Sequence, residues 1–128
     1  MIYSGERNRP SILVADDEPG VRMFIEAVLT LDGHHVVVAA DGQEACDILA
    51  TTPGIGLVVL DLVMPNKEGI ETITEIRTKY PSCKIIAISG AFGGQCLPAA
   101  RHLGADATIA KPMELRVLRD TVMALLQE

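Results

Sequence analysis

Four short clusters of polar residues carry most of the chemistry available to this chain: Asp16-Asp17-Glu18, Asp61, Ser89-Gly90 and Lys111-Pro112. Each closes a short apolar run, namely I-L-V-A before the acids, V-V-L before Asp61, I-I-A-I before Ser89 and A-T-I-A before Lys111. Taken singly, each fragment is ordinary. An Asp-Asp pair is commonly a solvated turn, a Lys-Pro is a turn, and a serine at a strand end satisfies loop backbone. Gathered together, the groups form a different object. Carboxylates brought side by side repel one another unless a cation or a proton intervenes. Mg²⁺ prefers oxygen ligands in octahedral geometry and bridges carboxylates to phosphate oxygens, so it suits such a group.

Whether they gather depends on the elements that carry them. Short runs rich in β-branched residues occur at Ile12–Ala15, His35–Ala39, Leu57–Leu60, Lys84–Ile88 and Ala107–Ala110. The segments between them have helical periodicity. The first places Val21, Phe24 or Ile25, Val28 and Leu31 on one face. The third places Ile70, Ile73 and Ile76 together, and the last Leu115, Leu118, Val122 and Leu125. Asp41 is placed to cap the second helix, while Gly33, Pro81 and Gly104 follow the first, third and fourth. The fourth helix has the weakest pattern, with Gly93, Gly94 and Pro98 crowding its start.

Strands that read as almost wholly apolar, alternating with amphipathic helices, predict a parallel α/β sheet covered on both faces. Right-handed crossovers then favour a five-stranded, doubly wound (βα)5 arrangement. The strand order 2-1-3-4-5 is adopted by analogy with flavodoxin-like sheets, whose sites form beyond the carboxyl ends of the strands. In that order the four polar clusters leave one edge of the sheet on neighbouring strands, spread over roughly 14 Å. Their coincidence at four successive neighbours outweighs the ordinary explanation of each alone.

Composition narrows the class. At 128 residues, 48% apolar and 22% charged, the chain suits one ordinary domain, read as a leader over residues 1–10 and a domain over 11–128. The polar start MIYSGERNRP has no apolar core of a secretion signal, and the apolar stretches are of strand length, too short to span a bilayer. Three cysteines without C-x-x-C spacing argue against a disulfide framework or a zinc site and for a reducing, cytoplasmic compartment. Cys83, inside an apolar run, reads as a small core residue. His34, His35 and His102 have no partner at metal-ligand spacing. A net charge of −6 argues against a direct grip on nucleic acid.

The motifs I-L-V-A-D-D-E at 12–18, V-V-L-D-L-V-M-P-N-K-E-G at 58–69, I-I-A-I-S-G at 85–90 and G-A-D-A-T-I-A-K-P at 104–112 resemble the receiver domain of two-component response regulators of the chemotaxis-regulator kind. The resemblance runs from Ile12 to about Leu126. It implies a phosphoacceptor in a phosphorelay rather than an enzyme with a turnover of its own. Asp61 would be the nucleophile that becomes an aspartyl phosphate. Mg²⁺ (or Mn²⁺) would be held by Asp17, Asp61 and the backbone carbonyl of Val63, with Asp16 acting largely through water. Lys111 and Ser89 would hold phosphoryl oxygens, and Gly90 would leave the approach open. The resemblance further implies a cis Lys111–Pro112 bond, a histidine kinase or histidine phosphotransfer protein as donor, and a downstream protein or effector domain as target. Neither a membrane nor nucleic acid is an expected partner.

One position departs from the family pattern. Receivers usually carry an aromatic residue three positions before the lysine, and here that residue is Thr108. The signal is therefore expected to travel through Ser89 and the Gly93-Gly94 segment. Val63 and Ala91, inert side chains near the site, imply slow loss of the phosphoryl group. Three rivals fit less well. A flavin-binding relative of the fold would need a phosphate-binding loop where Asp16-Asp17-Glu18 stands. An aspartyl-phosphate phosphatase would need an acid at Val63. A partner-binding pseudo-receiver would be expected to lose part of the acid, hydroxyl and lysine set, which here is complete.

Overall fold

The structure is a computed structural model and describes residues 9–64, 67–90 and 96–127. The expected leader up to Asn8, and the expectations resting on Pro65, Asn66, Ala91, Gly93 and Gly94, lie outside those residues. Five strands, β1 (Ser11–Ala15), β2 (Val36–Ala39), β3 (Ile55–Asp61), β4 (Lys84–Ser89) and β5 (Ala107–Ala110), form one parallel sheet in the order β2-β1-β3-β4-β5. The expected order is the observed one. Among the described residues the helices are α1 (Pro19–Leu31), α2 (Gly42–Thr51), α3 (Gly69–Lys79), α4 (Leu97–His102) and α5 (Leu115–Leu126).

Alternation along each strand divides the core in two. Leu13, Val58, Leu60, Ile85 and Ala87 face α2, α3 and α4, meeting Ala45, Leu49, Ile73, Ile76 and Ala100. Ile12, Val14, Leu57, Val59, Ile86, Ile88 and Ile109 face α1 and α5, meeting Ile25, Leu29, Leu118, Val122 and Leu125. Each fully buried Leu or Ile stabilises the fold by about 1.5–3 kcal/mol relative to exposure. Both faces of the central strands are therefore spent on packing. Polar chemistry can emerge only where the strands end.

Two helix faces differ from expectation. In α1 the inward stripe is Val21, Ile25, Val28 and Leu29, whereas Phe24 turns outward and Leu31 is 86% exposed. Adjacent stripes on one helix differ by about 100°, and the sheet selects the stripe that Leu29 completes. In α5 Leu118, Val122 and Leu125 are buried as expected, but Leu115, in the first turn, is exposed. The punctuation is as read. The Asp41 carboxylate accepts from Glu44 N at 2.8 Å and so caps α2, and the Glu44 carboxylate accepts from Ala40 N, one residue before the cap, at 2.6 Å. Gly33 (φ +90°) and Gly104 (φ +126°) supply the left-handed backbone after α1 and α4. Cys83 is a buried core residue.

Register brings the strand ends level. Ala15 lies opposite Leu60, Asp61 opposite Ile88 and Ser89 opposite Ala110. Asp16, Asp61, Ser89 and Lys111 consequently step off one edge of the sheet together.

Candidate functional site

Local hydrogen bonds fix each acid before any charge is considered. One Asp16 carboxylate oxygen accepts from Glu18 N at 2.9 Å, and the Asp16 carbonyl accepts from the Arg22 guanidinium at 2.8 Å. The turn after β1 is thereby closed. Asp61 is the last residue of β3, and its Oδ1 accepts from Val63 N at 3.0 Å. Leu62 N still donates to the Ile88 carbonyl at 3.0 Å, so sheet bonding continues one residue past the acid. Gly69 then crosses close beneath, its N donating to the Leu62 carbonyl at 3.0 Å. A Cβ on Gly69 would lie 2.4 Å from Leu62 Cα and 2.7 Å from the Asp61 carbonyl oxygen. Only glycine fits there without moving the acid. Lys111 N donates to the Ser89 carbonyl at 3.1 Å, and the Lys111–Pro112 bond is cis, as expected.

These constraints aim one ammonium at three carboxylates. Lys111 Nζ lies 2.9 Å from Asp61 Oδ2, 3.4 Å from Asp16 Oδ2 and 3.5 Å from Glu18 Oε1. Oxygens of Asp16, Glu18 and Asp61 all fall within 4.8 Å of one another. Burial pushes the Asp16 carboxyl above its ordinary range, and the charge of Asp61 adds to that rise against the bonds from Glu18 N and Lys111. Burial would lower the Lys111 ammonium, but the hydrogen bond and charge of Asp61, with Asp16 and Glu18 behind it, hold it above its usual value. The cluster opens into a cavity of about 290 Å³ lined by Asp17, Glu18, Asp61, Val63, Gly90 and Lys111.

An all-oxygen donor set with more negative than positive charge fits a hard divalent cation. Asp16 and Asp61 meet in the cluster, and Asp17 lines the same cavity. Val63 exposes its side chain at the cavity wall. Ser89 is wholly buried at the end of β4 and is not among the lining residues. A Cβ on Gly90 would come within 3.0 Å of Lys111 Cβ, so this glycine also gives the lysine room to cross. Thr108 is half-buried in β5, opposite Ala87. Sequence reasoning assigned no role to Glu18, whose carboxylate is part of the cluster. The available signal was local: glutamate is an unfavoured residue at a helix N-cap, and Glu18 holds that position in α1 without capping it.

Residues 12–123 match the family model of the response regulator receiver domain. The chain belongs to that family. This receiver is 39% identical over 117 residues to Response regulator RR06 of Streptococcus pneumoniae, across 91% of this chain and 53% of that protein. It is 30% identical over 111 residues to Sporulation initiation phosphotransferase F of Bacillus subtilis, across 87% of this chain and 89% of that one. The chain thus spans about half the length of the first relative and most of the second. Among solved structures, a response regulator receiver protein from Pseudomonas putida superposes with a TM-score of 0.84 at 31% identity, covering 91% of this chain and 97% of that one. The receiver domain of NtrX from Brucella abortus gives 0.83 at 28% identity, covering 91% and 98%. No described helix is long and apolar enough to cross a membrane.

Proposed function

We propose that this receiver accepts a phosphoryl group on Asp61 from a phosphohistidine on a kinase or phosphotransfer protein, and that the modified form binds a downstream protein or effector domain differently. The supporting observation is the approach of Lys111 Nζ to within 2.9 Å of Asp61 Oδ2 beside a solvent-open cavity. A lysine so placed is a ready counter-charge for a phosphoryl oxygen. In the transfer, an Asp61 carboxylate oxygen forms the new bond to phosphorus while the donor's P–N bond breaks, and the electron pair leaves with the imidazole. Asp16, Asp17, Asp61 and the Val63 carbonyl would hold Mg²⁺ or Mn²⁺. Such a cation neutralises charge on the transferring group.

Ser89 starts wholly buried, so engaging a phosphoryl oxygen would draw β4 and the chain after it towards Asp61. That movement is a route from the site to the face of α4, β5 and α5. No aromatic side chain takes part in β5, where Thr108 stands. The domain reads as the segment from residue 11 onward, working in the cytoplasm and contacting proteins rather than nucleic acid or membrane.

The test is intact mass after incubation with a small acyl phosphate, with and without Mg²⁺. One phosphoryl group is expected on the wild type with Mg²⁺, and none in chelator or on Asp61→Asn. A phosphorylated Asp61→Asn protein, or equal labelling in chelator, refutes the assignment.

A further inference from the structure

Among the three carboxylates that meet Lys111, Glu18 is the exposed one. Its side chain is 63% exposed, against 2% for Asp16 and 7% for Asp61. Its backbone is nevertheless anchored: Glu18 N donates to Asp16 Oδ1 at 2.9 Å, and Arg22 N donates to the Glu18 carbonyl at 2.9 Å. It stands at the N-cap of α1 without capping it, and Oε1 lies 3.5 Å from Lys111 Nζ. The nearby Arg22 guanidinium is engaged by the Asp16 carbonyl. An exposed acidic side chain on an anchored backbone therefore reaches the same ammonium that a phosphoryl oxygen would claim.

Resting on the phosphoacceptor reading, we propose that Glu18 is a positioning residue that tethers Lys111 while Asp61 is unmodified and swings out when a phosphoryl group arrives. The exchange is inexpensive in one direction only. Withdrawing Asp16 from Lys111 would leave a buried carboxylate without its cation, whereas the Glu18 carboxylate moves into water. Its charge has two opposed effects on the cavity. It draws a divalent cation in, and it competes with the phosphoryl group for Lys111 and repels it. Glu18 thus holds the unmodified site ready for metal and keeps the phosphorylated state high in energy, which favours passing the group onward or back.

The opposed signs supply the test. Two probes are titrated calorimetrically into wild type and Glu18→Gln: Mn²⁺ alone, and beryllofluoride, a phosphoryl mimic, at saturating Mg²⁺. An exposed ion pair shifts affinities by about two- to fivefold. Glu18→Gln is expected to bind Mn²⁺ more weakly by that factor and beryllofluoride more tightly. Glu18→Asp, which keeps the charge on a shorter arm, is expected to retain the Mn²⁺ affinity and to tighten beryllofluoride binding. A merely structural role would move both affinities the same way, and that result overturns the proposal. So does beryllofluoride binding that is unchanged in Glu18→Gln, or a Glu18→Asp protein identical to wild type with both probes. Wild type that binds neither probe would instead refute the phosphoacceptor reading, and this inference with it.

Discussion

The two ends of the sheet treat charge in opposite ways. At the end where β4 and β5 begin, the Arg77 guanidinium donates to the carbonyls of Gly104 (2.6 and 3.2 Å), Pro81 (2.8 Å) and Cys83 (3.0 Å), and to Asp106 Oδ2 at 2.8 Å. The same Asp106 oxygen accepts from Ile85 N at 2.8 Å. One cation and one anion close the loops between α3, β4 and β5 with their hydrogen bonds met. At the other end, Lys111 faces three carboxylates, two of them almost fully buried, and the sum is negative. A balanced cluster joins elements and asks for nothing more. An unbalanced one is complete only when something from outside arrives. Local rules broken at one end and kept at the other mark which end works.

Arg77→Ala tests the balanced end and has the largest expected effect on stability. It leaves three carbonyls and Asp106 short of their donor in a pair about a quarter exposed. Breaking a buried pair costs about 3–5 kcal/mol, and this one should fall near the lower figure. Thermal melting should drop by roughly 10 °C, with phosphorylation per folded molecule unchanged. A loss of labelling without a loss of stability would put the brace in the functional site and end the comparison.

Gly69→Ala strikes where the working end is built into the fold. The new Cβ meets backbone atoms of Asp61 and Leu62, which cannot rotate away as a side chain could. Overpacking of this kind costs about 1–3 kcal/mol, and here the displaced residue is Asp61, the proposed phosphoacceptor. Denaturant unfolding should show a loss of about 2 kcal/mol together with slower labelling by a small acyl phosphate. Full-rate labelling in a destabilised variant would show that the acid's position tolerates a shift in its loop.

Much of this was legible in the residues because strand ends are legible. Largely apolar runs of four to six residues stop at Asp16, Asp61, Ser89 and Lys111, and a parallel sheet leaves them no other edge. Periodicity alone does not choose between neighbouring stripes of α1, so Leu31 reads as inward although it is exposed. The Arg77–Asp106 brace joins residues 29 apart in the chain, with no spacing to announce it. Glu18 was hidden for the opposite reason: beside two aspartates, a third acid looked like more of the same.

Val63 tests how long the proposed aspartyl phosphate would last. Its side chain is 53% exposed at the cavity wall and offers neither donor nor acceptor to orient an attacking water. Water-positioning groups contribute on the order of 10²-fold when well held, and an exposed one should deliver about tenfold. The decay of phosphorylated protein after donor removal should therefore be slow in wild type and about tenfold faster in Val63→Asn. Equal decay would place control of lifetime elsewhere in the site.

The smallest effect has the most telling sign. If the working end is unbalanced, removing one of its buried charges should stabilise the protein. Asp16→Asn keeps the carbonyl oxygen that accepts from Glu18 N and deletes the charge that crowds Asp61. In chelator the variant should be more stable than wild type by about 1 kcal/mol, because a charged carboxylate is no longer buried and Lys111 keeps Asp61 and Glu18 as partners. The pH dependence follows from the raised Asp16 carboxyl. A carboxyl whose folded value lies above the unfolded one, near 3.8, binds more protons in the folded state, so wild-type stability falls as pH rises through the interval between them. The variant lacks that fall, and the two proteins should converge below the interval and separate above it. Adding Mg²⁺ should then reverse the ranking, because a cation that binds only the folded form stabilises wild type by RT ln(1 + [L]/Kd), and the variant has lost part of its attraction. Chemical unfolding at several pH values, with chelator and with Mg²⁺, checks each step. An Asn variant less stable than wild type in chelator would mean that Lys111 already balances the cluster, and that the two ends of the sheet are alike.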